Sequence, residues 1–596
     1  MPSPRIRAAA ALGSAFLGLA GAWVLHERAP DPSADVSRGS EEAFARGLDP
    51  RELPPRAAPL RWTGERAWIE FRFLPRGPAT LEVDIRGHRS PVAVAADGVI
   101  VGVLEPGAGP GRFTLPDNGR RSRNVELRTS PFPAGDGRRL GTQLRRVTLS
   151  TGPRGVPPPL LAFLFIATAL CSFAAAAAAG FRVGPAFAVS VGATAALLLA
   201  LWPAGLVRSA YTPAAATIVT AGGAFALAVV RWAARRWPGV GPAGHAGLLL
   251  AVLVLGLAAT SPLMVVSDAV FHANNLARVA AGDLWLTSFT QHTPPFRFPY
   301  GVSFYALLVP LHGLGLDPVW LVRAGAALSG LLASAALLAL VAPRGDMRAG
   351  LTVAALQLLP VTFDLYSYGN LSNVFGQAMT TLFFAWWAAG GPGGWVCGAA
   401  VLATAALGHF SSFVVAVALG AALLIAWRRE LRAQRWRAAS VGVGLGVAIL
   451  YYVQFAPLVI AQLPRLWEGS AAGPGPATAG GGPVAPLLSI AGQWGLPVIG
   501  LALAGLPRPR EGPLDRDLAA YWGAGLALAL VALASPLDVR YLHALGLALA
   551  VAAASGTVRL WSRGILGRMA AVALWFAQAL LAGRNLVEAV LWRYRP

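Results

Sequence analysis

The chain of 596 residues contains no lysine and two cysteines, Cys171 and Cys397. Both cysteines fall in apolar runs, so neither a disulfide framework nor a cysteine metal site is expected, and they leave the redox compartment open. Charge is scarce: 13% of residues are charged, against about 25% in an ordinary soluble protein. No Ser/His/Asp triad, Walker motif or dinucleotide fingerprint is found. The glycine-rich run 473–482 lacks the GKS/T ending and the strand–helix setting of a phosphate loop, and reads as a mobile loop or lid.

What is present is apolar. Hydrophobic residues make up 55% of the chain and the mean hydropathy is +0.56. Apolar runs near the ~20 residues that span a bilayer predict a polytopic α-helical membrane protein of about 14–16 transmembrane helices, with an inserted all-β sandwich domain. The net charge of +21 is all arginine. Nucleic acid is rejected as a partner, because much of the arginine lies in short loops between apolar helices, as the positive-inside rule expects. Arginine without lysine, with abundant Ala, Gly and Pro, suggests a GC-rich bacterial genome.

Residues 1–25 hold an apolar segment behind Arg5 and Arg7, a transmembrane anchor or a signal sequence; Trp23-Val24-Leu25-His26 is a poor cleavage site, which favours the anchor. Residues 26–58 read as a linker. Residues 59–152 alternate in the strand manner around Trp68, Ile69, Phe71 and Phe73 and around Leu81, Val83 and Ile85, with Asp97-Gly98 as a hairpin turn. Further strands fit 112–115, 125–128 and 144–149. The membrane domain, 158–596, is predicted to hold helices near 158–180, 185–205, 212–231, 246–266, 319–342, 349–365, 372–389, 394–408, 411–427, 438–460, 485–505, 518–535, 541–556 and 569–590.

With Arg5 and Arg7 inside, the β domain lies outside. Arg231, Arg235 and Arg236 then fall inside, as do the loop Arg428, Arg429, Arg432, Arg435 and Arg437 and the later Arg559, Arg563 and Arg568. These placements agree only if one apolar segment fails to cross, and 303–315, with Pro310 and His312, is short enough to be re-entrant or interfacial. The expected location is a bacterial inner (cytoplasmic) membrane, multi-pass, with an outer loop 267–302 facing away from the cytoplasm.

That loop opens on a polar knot. After the apolar run 246–266 come Ser267 and Asp268, then His272 and Asn275, so that Asp268, His272 and Asn275 share one face of a short helix. A carboxylate and an imidazole at a membrane surface are costly and mark a candidate for chemistry. Asp268 could serve as a general base in group transfer; a helix cap beside an interfacial histidine is the plainer alternative. A divalent metal held by Asp268 and His272, with His409 as a distant third ligand, is a further option without an HExxH-type signature behind it. Arg297 could pair a phosphate or snorkel at the interface. Tyr300, Tyr366 and Asn370 suit a hydroxyl-rich ligand or belong to the aromatic belt and helix caps. His409 interrupts an apolar stretch. Arg540, on the outer side and against the positive-inside bias, could hold an anion or pair with Asp538.

These residues resemble the GT-C superfamily of membrane glycosyltransferases, which use polyprenyl-phosphate-linked sugars. The stretch from Ser267-Asp268 to Phe298-Pro299-Tyr300-Gly301 looks like their first outer loop with its acidic residue. Leu321-Val322-Arg323-Ala324 looks like the helix that follows, and Asp538-Val539-Arg540-Tyr541 like a late arginine–tyrosine segment. Ser130-Pro131-Phe132, with Gly137-Arg138-Arg139-Leu140-Gly141, resembles the close of the jelly-roll domains that precede such cores. The chain departs from many members in having Ala269, not a second acidic residue, after Asp268; the next is Asp283. The resemblance implies sugar transfer to a glycan, lipid or protein acceptor, with membrane lipid as surroundings. It would make Asp268 the base, His272 its orienting partner, and Arg297 or Arg540 the donor-phosphate site. A transporter or flippase of lipid-linked glycan, and an assembly scaffold, are the alternative readings.

Overall fold

Strands β3 and β4, at Arg61–Arg72 and Ala79–Arg86, show why the β domain folds. In β4, Ala79, Leu81, Val83 and Ile85 turn inward, while the residues between them face outward. Period-two alternation of this kind buries one face of a strand. The structure is a computed structural model. It describes residues 4–38, 40–49, 60–133, 139–152, 154–178, 181–209, 240–260, 268–289, 297–367, 369–462, 491–507, 512–533 and 538–590. The helix expected at 212–231, the end of that at 246–266, residues 39 and 50–58 of the linker, Ser267, part of the loop 267–302 and the run 473–482 lie outside the described residues.

The chain divides into two compact units, residues 1–231, 260–265 and 587–596, and residues 232–259 and 266–586. The first unit carries α1 (Pro4–Arg28), the β domain, α2 (Pro159–Ala178) and α3 (Val183–Leu201). Gly18 of α1 lies against the backbone of Phe165 and Ile166 in α2, so close that a Cβ there would fall 2.6 Å from the Phe165 carbonyl oxygen. Small residues permit such approach between apolar helices.

The remaining strands are β1 (Ser33–Asp35), β2 (Ala45–Leu48), β5 (Val92–Ala96), β6 (Val99–Leu104), β7 (Gly111–Leu115), β8 (Ser122–Arg128), β9 (Phe132–Pro133), β10 (Arg139–Leu140) and β11 (Gln143–Thr151). The main sheet is antiparallel in the order β6-β5-β8-β3-β11-β4-β7, with β1 beside β11 and β2 beside β3. A sandwich is expected from the sequence; the strands instead make one nearly closed sheet, because the 12-residue β3 borders both β8 and β11. One core gathers Ile69, Phe71, Leu81, Val94, Val125 and Leu149. In β11 an irregularity between Leu144 and Arg146 lets Leu144 and Val147 both face that core despite their odd spacing. Asp97 and Gly98 both have positive φ, 51° and 89°, as the expected two-residue turn requires. The end strands β6 and β7 meet side by side, and the Phe113 ring lies over Gly102.

The second unit contains α4 (Pro242–Thr260), α5 (Ala269–Ala280), α6 (Ser303–His312), α7 (Pro318–Val341), α8 (Asp346–Gln357), α9 (Pro360–Ser367), α10 (Leu371–Ala388), α11 (Gly394–Ala406), α12 (Phe410–Ala426), α13 (Arg435–Tyr452), α14 (Leu496–Ala504), α15 (Pro513–Leu533), α16 (Asp538–Trp561) and α17 (Ile565–Val590). The single helix expected at 349–365 is two, α8 and α9, bent by 47°. Pro360 lacks an N–H and disfavours helix just before it, which accounts for the break. Among the described residues of both units, six helices are long and apolar enough to cross a membrane, or seven if the bent pair is one span. In α17 the residues Ile565, Met569, Val572, Phe576 and Leu580 form an exposed apolar stripe, while Gln578 turns inward and donates to the Leu358 carbonyl at 2.8 Å. The protein is therefore membrane-embedded, with lipid as the surface solvent and polar groups satisfied inside. Helix α6 has 10 residues, about 15 Å of rise, half of a hydrocarbon core of ~30 Å.

Candidate functional site

Helix α5 is amphipathic and not an apolar span. It buries Ala269, His272, Ala273, Asn275, Leu276 and Val279, one stripe at helical spacing. Asp268 stands at its N-cap position, half-buried, and its side chain makes no capping bond. The carbonyl of Asp268 accepts from the His272 amide at 2.9 Å. Facing it is Gly369, with φ of 73°; a Cβ there would lie 2.7 Å from the Asp268 Cβ and 2.8 Å from its nitrogen. Only glycine supplies both that conformation and that clearance.

His272 is buried behind this contact. Its Nε2 lies 2.7 Å from the Gly369 carbonyl oxygen and its Nδ1 2.7 Å from the Tyr305 hydroxyl. A carbonyl only accepts, so Nε2 carries the proton and Nδ1 accepts from Tyr305. Burial holds the imidazole neutral by pushing its pKa down to about 4. Both ring nitrogens are engaged within the protein, so the ring acts as a strut between α5, α6 and the turn after α9. In this geometry it presents no lone pair for a metal. Among the described residues no three His, Cys, Asp or Glu side chains gather around an ion-sized space.

The other residues assemble around this strut. The Asn275 amide donates to the Tyr305 hydroxyl at 3.4 Å. Tyr300, buried, shares a hydrogen bond of 3.0 Å with Ser372 and meets the His409 ring edge-on at a centroid distance of 5.1 Å. His409 caps α12, its Nδ1 accepting from the Ser411 amide at 3.1 Å. The loop itself is tied down: the Tyr451 hydroxyl lies 2.9 Å from the carbonyls of Leu284 and Tyr300, and Trp285 stacks on Tyr451 at 5.5 Å. Asp283 is hydrogen-bonded by Arg278 at 2.6 and 2.9 Å, which holds its carboxyl below the usual carboxylate range.

Three sequence candidates remain. Arg297 is exposed in the hairpin of β12 (Thr287–Phe289) and β13 (Arg297–Pro299), with its backbone held by Gln462 at 2.7 and 2.8 Å. Asn370 is half-buried at the N-cap of α10 and its side chain makes no capping bond. Arg540 lies in the first turn of α16, and its side chain is outside the described residues.

Tyr366 belongs to a second, deeper group. Its hydroxyl is buried with no hydrogen-bond partner among the described residues and faces a cavity also lined by Gln357, Gln377, Thr380 and His543. His543 Nδ1 lies 2.7 Å from Gln377 Oε1, and Gln377 donates to Asn373 at 3.1 Å. Asn373 in turn accepts from Ser411 at 2.9 Å, beside His409. A chain of hydrogen bonds thus joins the cavity to His409, which packs on Tyr300. The cavity volume is ≈ 50 Å³, room for a few waters, each of which needs about 10–15 Å³, and too little for a sugar. Sequence reasoning passed over Tyr305, Ser372 and Gln377. Their one visible mark is a polar side chain inside an apolar window, which costs free energy unless it has a partner.

No protein-family model matches the chain, and no curated protein matches it.

Proposed function

We propose that this chain is an inner-membrane glycosyltransferase of GT-C type, transferring a sugar from a polyprenyl-phosphate donor to an acceptor outside the cytoplasm. The observation that supports it is the setting of Asp268. A half-buried carboxylate stands at the head of an amphipathic helix, its backbone clamped by Gly369 and backed by the neutral His272–Tyr305 strut. A fixed carboxylate at the lip of a polar cluster is what a general base needs. Asp268 would take the proton of the acceptor hydroxyl as that oxygen bonds the anomeric carbon. The bond from that carbon to the donor phosphate breaks, and polyprenyl phosphate leaves with the electron pair. His272 is a positioning residue in this scheme. Arg297 or Arg540 would meet the donor phosphate, and the β domain would present the acceptor.

Membrane vesicles supplied with radiolabelled polyprenyl-phosphate sugars test the reading. Asp268→Asn is expected to lower transfer by about 10²- to 10⁴-fold; unchanged transfer removes Asp268 as the base. A flippase of lipid-linked glycan is the second reading, favoured by the bent pair α8–α9 and the buried Tyr366, Gln377 and His543 side chains that line the cavity beside it, since broken helices and buried polar groups mark transport paths. Labelled glycan crossing the bilayer without transfer would support that reading.

A further inference from the structure

The cavity at Tyr366 sits where a helix is broken. Helix α8 ends at Gln357 and α9 begins at Pro360, and Gln357 and Tyr366 both line the cavity. Each of the two is 2% exposed. Neither Gln357 Oε1 nor the Tyr366 hydroxyl has a hydrogen-bond partner among the described residues. The walls beside them, Leu255, Val374 and Val415, are apolar. Two orphaned oxygens in such a setting cost free energy. A bound species that takes up their lone pairs removes that cost.

The other polar side chains of the lining have already committed their protons. Thr362, Thr380 and Thr381 donate to the carbonyls of Leu356, Gly376 and Gln377 at 2.9 to 3.1 Å. Tyr521 donates to the Ala544 carbonyl at 2.9 Å, and the Gln357 amide donates to Ser334 at 3.0 Å. Gln377 turns its NH2 group to Asn373, so its Oε1 accepts from His543 Nδ1 at 2.7 Å. His543 Nε2 then carries a lone pair. What these groups still offer is lone pairs, and Tyr366 holds the one uncommitted proton among them. Such a set complements a positive ligand. The macrodipole adds negative partial charge at the C-terminal end of α8, where Gln357 stands.

We propose that this cavity binds a small monovalent cation through Gln357 Oε1 and the Tyr366 oxygen, with water completing the shell and accepting the Tyr366 proton. Divalent ions favour carboxylate ligands. The two oxygens here belong to an amide and a hydroxyl, which suits a single charge. The volume of ≈ 50 Å³ admits an ion and a few waters at about 10–15 Å³ each. Broken helices in membrane proteins offer their C-terminal ends to such ions. Sodium, potassium and ammonium share this chemistry. The site is independent of sugar transfer at Asp268.

Thermal unfolding of the full-length protein in detergent provides the test. Sodium, potassium or ammonium chloride replaces choline chloride at constant ionic strength, choline being too large for the cavity. The wild-type midpoint is expected to rise with at least one of the three small ions and to saturate; the ion that saturates at the lowest concentration is the occupant. Tyr366→Phe removes an oxygen to which no described residue is hydrogen-bonded, so it should fold as wild type does. It should raise the half-saturating concentration of that ion about tenfold. Gln357→Met loses the bond to Ser334 and should unfold earlier in choline, but it should also flatten the rise with the small ion. If no small cation raises the midpoint above that in choline, or if Tyr366→Phe responds as wild type does, the cavity holds water alone and the proposal is overturned.

Discussion

The second unit holds its polar groups in two different ways. Around His272 the contacts are neutral: an imidazole, two tyrosines, an amide and a backbone carbonyl, all joined by hydrogen bonds. Around Trp427 they are ionic. The indole lies between two guanidiniums, Arg437 at 3.6 Å and Arg516 at 3.5 Å from its centre. Its N–H, with that of Trp387, donates to buried Asp517, and Arg516 also pairs with Glu430 at 2.7 Å. Charge buried among rings and a carboxylate is rigid but fails if one partner goes. A neutral frame fixes geometry without setting a strong local field, and so leaves the field to whichever carboxylate stands beside it. Asp268 is that carboxylate.

The comparison breaks most readily at Asp517. Asp517→Ala leaves the indole N–H groups of Trp387 and Trp427 without their acceptor and takes a carboxylate from the field at Arg437; it is expected to cost about 1–3 kcal/mol for each orphaned donor, read as a fall in the unfolding midpoint in detergent. Adding Arg437→Met should recover part of the loss; no recovery would mean that the cluster is held by packing and not by charge. The His272 end should respond to pH. Its folded pKa, about 4, lies below the ordinary 6.5. Between those values the unfolded chain binds the proton and the folded one does not. The stability contribution is therefore complete above pH 6.5 and declines as pH falls towards 4, by about 3 kcal/mol. The difference between wild type and His272→Gln across that window isolates it; parallel curves would contradict the neutral strut.

Gly369→Ala comes next. It must accept a positive φ and push Asp268 aside, at a cost of about 1–3 kcal/mol, and should lower the proposed sugar transfer more than stability. The smallest effect is at the exposed partner of the ionic cluster. Glu430→Gln removes a half-exposed ion pair and should leave the midpoint within experimental error, because Arg516 keeps its seat on Trp427. A large shift there would make the outer rim, not Asp517, the anchor of that end.

Much of the secondary structure can be seen in the residue order. The Asp97-Gly98 turn, the alternation in β4 and the long apolar runs each express local chemistry. Pro360 marks the break between α8 and α9, though the run 349–365 is apolar on both sides of it and conceals the bend. The site is less legible. Asp268, His272 and Asn275 share a face by spacing alone, but Tyr305 and Gly369 reach His272 across 33 and 97 residues. No periodicity encodes such partners. Arg344 and Arg559 look like loop arginines of the positive-inside kind; only packing of α16 beside α8 makes them walls of one cavity.

The meeting of β6 and β7 has a mechanical meaning. Elsewhere in the main sheet neighbours are laced by backbone hydrogen bonds, but here an aromatic ring on a glycine closes the curve. Parting two strands along that line would uncover apolar surface yet break no ladder. The β domain thus has a seam, and β6, which shows Val99, Ile100 and Val103 to its surroundings, is the flap beside it.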